Sequence, residues 1–300
     1  MAQKAANDLS APSLGVIGIL HHPHKPISLP LALEIQDRLV SGGREAWTCS
    51  SWDEAAAKKE VAHTDLMITL GGDGSLLRAA RLAAPYGALL LGINLGRVGF
   101  LSECTPDNWE GALTRLLAGN YWVEERLMLH AETLRNGRVI GRHDALNDVV
   151  ISRGTLARVV QLDTWVDGGY LAHYYADGLI ISTATGSTAY ALAVGGPILP
   201  PELKSILIVP IAPHLSMDRA VVLAQGSRVK AQVKTDHQAI LTVDGQYEFD
   251  LRNGDQVLIQ ACPHLSRFAR VQPRTYFYRS LLARLVPTEP VPGHDAQGRH

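Results

Sequence analysis

The sequence predicts an α/β N-terminal domain with a parallel sheet, followed by a mostly antiparallel β domain. Two patterns carry this. From Leu14 to Leu117 buried apolar runs alternate with helical spacings, the signature of a parallel sheet covered on both faces. After about Asn120 β-rich runs follow one another, separated by the turn pairs Asn136-Gly137, Asp167-Gly168, Asp244-Gly245 and Asn253-Gly254. A length of 300 residues leaves room for both domains.

In order, Leu14 to Leu20 reads as a buried first strand, and His21-His22-Pro23-His24-Lys25-Pro26 as the loop after it. Pro30 to Val40 places Leu31, Ile35 and Leu39 on one helical face, stopped by Gly42-Gly43. A short strand near Glu45 to Thr48 and a helix near Trp52 to Lys59 follow, then a strand from Asp65 to Leu70 and another from Gly87 to Asn94. Leu95 to Leu101 is the glycine-rich exit of that strand, and Pro106 to Leu117 is a helix with Trp109, Leu113, Leu116 and Leu117 inward. In the second half Val149 to Ile151, Val159 to Leu162, Ile206 to Val209 and Val257 to Ile259 are short strands. Phe277 to Leu285 returns to helical spacing. The expected boundaries are a disordered N-terminus at 1–13, the α/β domain at 14–121, the β-rich domain at 122–270, a segment at 271–286 packing back on the first domain, and a disordered Pro- and Gly-rich tail at 287–300.

Composition narrows the function. A net charge of -1 provides no global field for nucleic acid or an anionic membrane. No apolar run approaches the length of a membrane span, and Met1 to Pro12 lacks the apolar core of a signal peptide. Cys49, Cys104 and Cys262 are scattered, so neither a zinc site nor a disulfide framework is expected, and a reducing cytoplasm is the natural setting.

The chain is organised around Leu70-Gly71-Gly72-Asp73-Gly74-Ser75, set between a strand and a helical run. Glycines there allow positive φ and close approach of a ligand, and the amides opening the helix suit a phosphate. Asp73 would repel phosphate, so it has another task. The plain alternative is a tight turn with Asp73 or Ser75 as the N-cap, since short glycine motifs arise often by chance. The histidines of the 21–24 loop lack an i, i+4 pair and an acidic or cysteine partner, so they read as lining of a site at the carboxyl end of a strand, not as a metal centre. Asn147-Asp148 precedes a buried strand, where an amide and a carboxylate can grip a diol or a base edge; an ordinary Asx turn is the bland reading. Asp177-Gly178 opens another strand. Thr185-Gly186-Ser187-Thr188-Ala189-Tyr190 gathers hydroxyls around a glycine, and Tyr190 suits stacking on a base, against the bland reading of an ST-rich loop with an N-cap. Neither a P-loop nor a dinucleotide G-x-G-x-x-G fingerprint is present.

Together, Gly71 to Gly74, Asn147-Asp148, Asp177-Gly178, Thr185 to Tyr190, Gly195 to Ile198 and Asp244-Gly245-Gln246 resemble the bacterial NAD kinase family in order and spacing, from about Leu14 to Leu285. The resemblance implies a Rossmann-like, phosphofructokinase-like first domain and transfer of the γ-phosphoryl of ATP to the 2′-hydroxyl of the adenosine ribose of NAD. It implies Asp73 as general base, with Gly72, Gly74 and Arg78 at the phosphates. Phe100, Asn147, Asp148, Arg158, Tyr175, Asp177, Thr188, Ala189, Tyr190, Ala191, Leu192, Ala193, Ala212, Asp244 and Gln246 are the further nucleotide-binding positions it implies, with Arg158 and Asp177 lining the same cleft as Asn147 and Asp148. Mg²⁺ or Mn²⁺ is expected with ATP, held by phosphates and water with no metal-ligand residues of the protein's own. A homodimer or homotetramer is expected. Two positions depart from the family pattern: Tyr175, where relatives often carry a basic residue, and Ser216 to Ala220. A lipid or sphingoid-base kinase sharing Gly-Gly-Asp-Gly, and a non-catalytic nucleotide sensor, are the alternatives.

Overall fold

A computed structural model describes residues 14–96, 99–154 and 158–285. The expected disordered ends, and Arg97 and Val98 of the glycine-rich exit, lie outside the described residues. The first part runs β1 (Val16–His21), α1 (Ser28–Ser41), β2 (Glu45–Ser50), α2 (Glu54–Glu60), β3 (Leu66–Gly71), α3 (Asp73–Ala83), β4 (Leu89–Asn94), α4 (Trp109–Leu117) and β5 (Trp122–Arg126). The second contributes β6 (Leu129–Arg135), β7 (Arg138–Ala145), β8 (Asp148–Arg153), β9 (Val160–Val166), β10 (Gly169–Ala176), β11 (Gly178–Thr183), α5 (Tyr190–Ala193), β12 (Ser205–Ile211), β13 (Val221–Ala224), β14 (Val229–Val233), β15 (Ala239–Val243), β16 (Tyr247–Leu251) and β17 (Gln256–Ala261). The chain then re-enters the first part as β18 (Ser266–Arg270) and ends in α6 (Tyr276–Leu285).

The first sheet has the order β2-β1-β3-β4-β18-β5, parallel except for the β18–β5 pair. Its strands are apolar on both faces because helices cover both. Ile17, Ile19, Ile68, Leu91 and Ile93 pack with Ile35 of α1 and Trp109 of α4. Met67, Leu90 and Phe268 pack with Ala57 of α2 and Leu76 and Ala80 of α3. This accounts for the unbroken apolar runs in sequence.

The second part is two antiparallel sheets, β10-β9-β14-β17-β6-β7 and β13-β12-β11-β8-β15-β16. Alternate residues of both, including Leu129, Leu162, Ala231 and Ile259 against Ile151, Ile181, Ile208 and Leu241, fill one core between them. Three of the turn pairs close hairpins: β6–β7, β9–β10 and β15–β16. Both residues of each have positive φ, at Asn136-Gly137, Asp167-Gly168 and Asp244-Gly245, as the favoured two-residue turn requires. Asn253-Gly254 differs. It joins β16 to β17, which belong to different sheets, and only its glycine has positive φ.

The expected second-domain span of 122–270 meets the structure unevenly at its ends. β5 and β18 hydrogen-bond to each other in the first sheet. Strand propensity carries no information about which sheet a strand joins. Beyond β18, the Trp122 indole donates to the Gln272 carbonyl at 2.8 Å, and Tyr276 and Phe277 line a small cleft with Phe100 and Trp122. Among the described residues no helix is long and apolar enough to cross a membrane.

Candidate active site

β3 runs straight into α3, so the Gly71 to Ser75 turn sits at the carboxyl end of the parallel sheet, where open α/β sheets place ligands. The glycines are not there for positive φ: Gly72 has φ -107°, and neither Gly71 nor Gly74 is left-handed. Gly71 is needed because a Cβ would collide with the Ser75 side chain, whereas Gly72 faces open space. No side chain caps α3. Asp73, instead of capping its own helix, reaches across to the 99–101 loop. Its Oδ2 accepts from the Phe100 amide at 2.8 Å, and its Oδ1 from the Leu101 amide at 3.4 Å. A Cβ at Gly99 would strike that carboxylate. Gly99 is thus a site residue that sequence reasoning passed over as part of the glycine-rich exit.

The loop carrying those amides is itself braced. The Asn94 side chain accepts from the Gly96 amide at 2.7 Å and donates to Ser102 Oγ at 3.3 Å. Arg270 Nη1 donates to the Leu101 carbonyl at 2.7 Å. Arg270 belongs to a buried ionic cluster. Glu124 Oε2 accepts from Arg126 Nη2 at 2.8 Å and lies 2.6 Å from Arg270 Nη2, while Glu103 Oε2 lies 3.2 Å from Arg270 Nη1. Both guanidinium groups also lie against the Phe268 ring, 5.0 and 4.9 Å from its centre. Burial alone would raise the Glu124 carboxyl; Arg126 and Arg270 overcome that and bring it down to about 2. Arg126 Nη1 also donates to Thr185 Oγ1 at 3.4 Å, joining the first sheet to the second part.

On the facing side, Asn147 is half-buried and Asp148 buried. Burial, then the neighbouring Asp244 charge, pushes the Asp148 carboxyl up to about 7. Hydroxyls at the end of β11 and in the loop after it are turned to backbone carbonyls. Ser182 Oγ donates to the Asn147 carbonyl at 3.0 Å, Thr183 Oγ1 to the Leu146 carbonyl at 2.6 Å, and Ser187 Oγ to the Ala184 carbonyl at 2.7 Å. A Cβ at Gly186 would overlap the Asn147 carbonyl. Ser182 and Thr183 hold the Asn147-Asp148 turn in place, and Ser187 holds its own loop. Thr188 and Tyr190 remain half-buried and exposed, respectively, and Ala191 is buried beneath α5 against Ile180 and Val209.

Asp244 and Gln246 are likewise structural partners here. Asp244 accepts from the amides of Leu146, Asn147 and Asp148 at 3.1, 2.8 and 3.2 Å, and from Arg81 Nη1 of α3 at 2.7 Å. Burial raises the Asp244 carboxyl, opposed by Arg81 and those three amides. Arg81 Nη2 donates to Gln246 Oε1, and Gln246 Nε2 donates to the Gly74 carbonyl at 2.7 Å. Arg81 is a second residue missed from sequence.

Arg78 stacks on Trp52 at 5.0 Å, and Trp52 in turn meets the rings of His22 and His24 at 6.0 and 4.6 Å. The histidine loop thereby borders the site through Trp52. Arg78, Trp52, Gln246 and Tyr247 line a cavity of about 850 Å³. Among the described residues no three His, Cys, Asp or Glu side chains converge on a metal position.

Four expected residues lie elsewhere. Asp177 precedes β11 and pairs with Arg153 Nε at 3.0 Å; Ala212 follows β12 at the same end. Arg158 and Tyr175 line a separate cavity of about 790 Å³ with His214. Asn147 meets β11 at its opposite end, where the Thr183 amide donates to the Asn147 carbonyl. The length of β11 separates the two groups by roughly 16 Å. The expected single cleft holding both Asn147 and Asp177 is therefore not formed within one chain: β8 and β11 are antiparallel, which sends the residues before each strand to opposite ends.

A carboxylate set into a helix-terminal phosphate cradle and facing a polar turn on a second domain suits phosphoryl transfer to an alcohol. Comparison with known proteins agrees. The ATP-NAD kinase N-terminal domain family matches residues 30–121 and the ATP-NAD kinase C-terminal domain family residues 146–271. An NAD kinase of Chloroflexus aggregans is 40% identical over 269 residues, covering 90% of this chain and 98% of that protein. One from Dehalococcoides mccartyi is 38% identical over 270 residues, covering 90% and 95%. In fold, the chain resembles a yeast NADH kinase solved with NADH (TM-score 0.78, 22% identity, 94% and 91% covered) and an Archaeoglobus fulgidus NAD kinase solved with ATP (TM-score 0.72, 24% identity, 90% and 98% covered). The chain belongs to the NAD kinase family.

Proposed function

We propose that the protein transfers the γ-phosphoryl of ATP to the 2′-hydroxyl of the adenosine ribose of NAD, giving NADP and ADP, with Asp73 as the general base. The observation that carries this role is the aim of Asp73: its carboxylate is held off its own helix by the Phe100 and Leu101 amides. A bond forms between the ribose 2′-oxygen and the γ-phosphorus as the bond from that phosphorus to the β–γ bridging oxygen breaks. The hydroxyl proton passes to Asp73. The transition state is loose, so most of the acceleration comes from alignment and charge neutralisation. The α3 amides and Arg78 hold phosphate oxygens, and the Asn147-Asp148 turn holds the acceptor. Mg²⁺ or Mn²⁺ enters as part of the ATP substrate, carried by phosphates and water. The setting is the cytoplasm, in keeping with the soluble nucleotide substrates.

A homodimer or homotetramer would also bring the nucleotide-binding positions together. Arg158, Tyr175, Asp177 and Ala212 cannot reach Asp73 of their own chain, but they can complete the cleft of a second copy.

The test is a coupled assay with ATP, NAD and Mg²⁺ on the full chain and on Asp73→Asn. The variant should lose about 10²- to 10⁴-fold in kcat, the usual worth of a general base, while NAD binding by calorimetry stays within about threefold. Undiminished turnover in Asp73→Asn would remove the general-base role. A wild-type chain that phosphorylates a sphingoid base and not NAD would replace the whole reading.

A further inference from the structure

We infer that Arg81 is a positioning residue that sets the register between the phosphate cradle and the acceptor turn; this rests on the kinase reading given above. The Asp244 side chain is fully buried and that of Arg81 is nearly so, at 0% and 11% exposure. Their contacts divide cleanly. Apart from Arg81, among the described residues the Asp244 carboxylate serves the amides of Leu146, Asn147 and Asp148, the turn that would hold the acceptor. The other arm of the Arg81 guanidinium serves Gln246, which continues to the carbonyl of Gly74, the residue next to Asp73. One planar fork on α3 thus connects both halves of the cleft, and its two arms fix an angle as well as a distance. Tyr247 supports the guanidinium from one face at 4.8 Å.

Arg81 itself lines neither binding surface; it acts through Asp244 and Gln246. The Asn147-Asp148 turn keeps its backbone bonds to Ser182 and Thr183 without it, and the cradle is formed by β3 and α3 alone. What the bridge adds is their relative placement. In phosphoryl transfer that placement governs the rate, and a displacement of about 1 Å can cost on the order of 10²-fold. The inference therefore separates the two kinetic constants: kcat depends on the fork, substrate affinity does not.

Lysine keeps the charge of Arg81 but has no fork. The experiment compares wild type, Arg81→Lys, Gln246→Leu and the double variant, measuring kcat and KM for NAD and ATP, NAD affinity by calorimetry, and Tm. Gln246 lies at the rim, so its variant folds even where a change at the buried Arg81 does not. Arg81→Lys is expected to lower kcat about 10- to 100-fold, with NAD affinity within about threefold and Tm still well above the assay temperature. The double variant should be no slower than the slower single variant, because both cut one bridge. Retention of wild-type kcat by Arg81→Lys or by Gln246→Leu overturns the inference. So does an Arg81→Lys loss that appears in NAD affinity instead of kcat, or additive losses in the double variant. Absence of NADP formation by the wild-type chain would instead strike the kinase reading, so the two failures are distinguishable.

Discussion

Asp73 and Asp148 are both carboxylates at the ends of elements, yet their surroundings assign them different work. Asp73 accepts two amide hydrogens and stays half-exposed at the cleft. Asp148 is buried beside Asp244, and its carboxyl rises from 3.8 to about 7, first through burial and then through that neighbour's charge. The sign of the consequence follows. Between the two values the folded chain holds a proton on Asp148 that the unfolded chain has released. Stability from this group is therefore greatest at the acid end and declines as pH rises toward 7, by roughly 1.4 kcal/mol per pH unit. Asp148→Asn removes the titration. Relative to that variant, the wild type should lose roughly 3 kcal/mol between pH 5 and pH 8 in urea unfolding. A difference that stays flat over this range would mean that Asp148 is ionised throughout.

At the scale of elements, β5 and β18 are joined by more than their ladder. Glu124 lies between the guanidinium groups of Arg126 and Arg270, with all three side chains below a tenth exposed. Two buried cations without their shared anion are costly. Glu124→Gln should destabilise the protein by about 3–5 kcal/mol in chemical unfolding, and a loss below about 1 kcal/mol would make the cluster dispensable. With the Glu124 carboxyl brought down to about 2, its contribution is present above the ordinary value of 4.5 and is lost as pH falls from there toward 2. Little of this cluster was legible in sequence. A charged residue in a strand pattern reads as solvent-facing, and the link from Arg270 to Glu124 crosses 146 positions. The link from Arg81 to Asp244 was hidden for the same reason, across 163 positions. What was legible was local: the strand-turn-helix at Gly71 to Ser75, the amphipathic face of α1, and the hairpins at Asn136-Gly137, Asp167-Gly168 and Asp244-Gly245, whose chemistry is complete within a few residues. The hydroxyls of Ser182, Thr183 and Ser187 mark the boundary between the two kinds. Their polarity was visible, but their partners, carbonyls of Leu146, Asn147 and Ala184, decide that they support the site instead of forming its surface.

For the whole molecule, the separation of Asp177 from Asn147 by the length of β11 has a direct test. If a second copy completes each cleft, Asp73→Asn and Asp177→Ala should each be inactive alone and recover activity when refolded together, since a mixed assembly regains one intact cleft; no recovery on mixing would assign Asp177 a role within its own chain. The path of β18 bears on how the protein comes to exist at all. This strand lies between β4 and β5, and the chain reaches it only after the entire two-sheet part has been made. A nascent polypeptide leaving the ribosome cannot close this sheet until β18 has been made, and until then the edge of β4 stays open. The sheet that β1 begins is completed only after both sheets of the second part have been made.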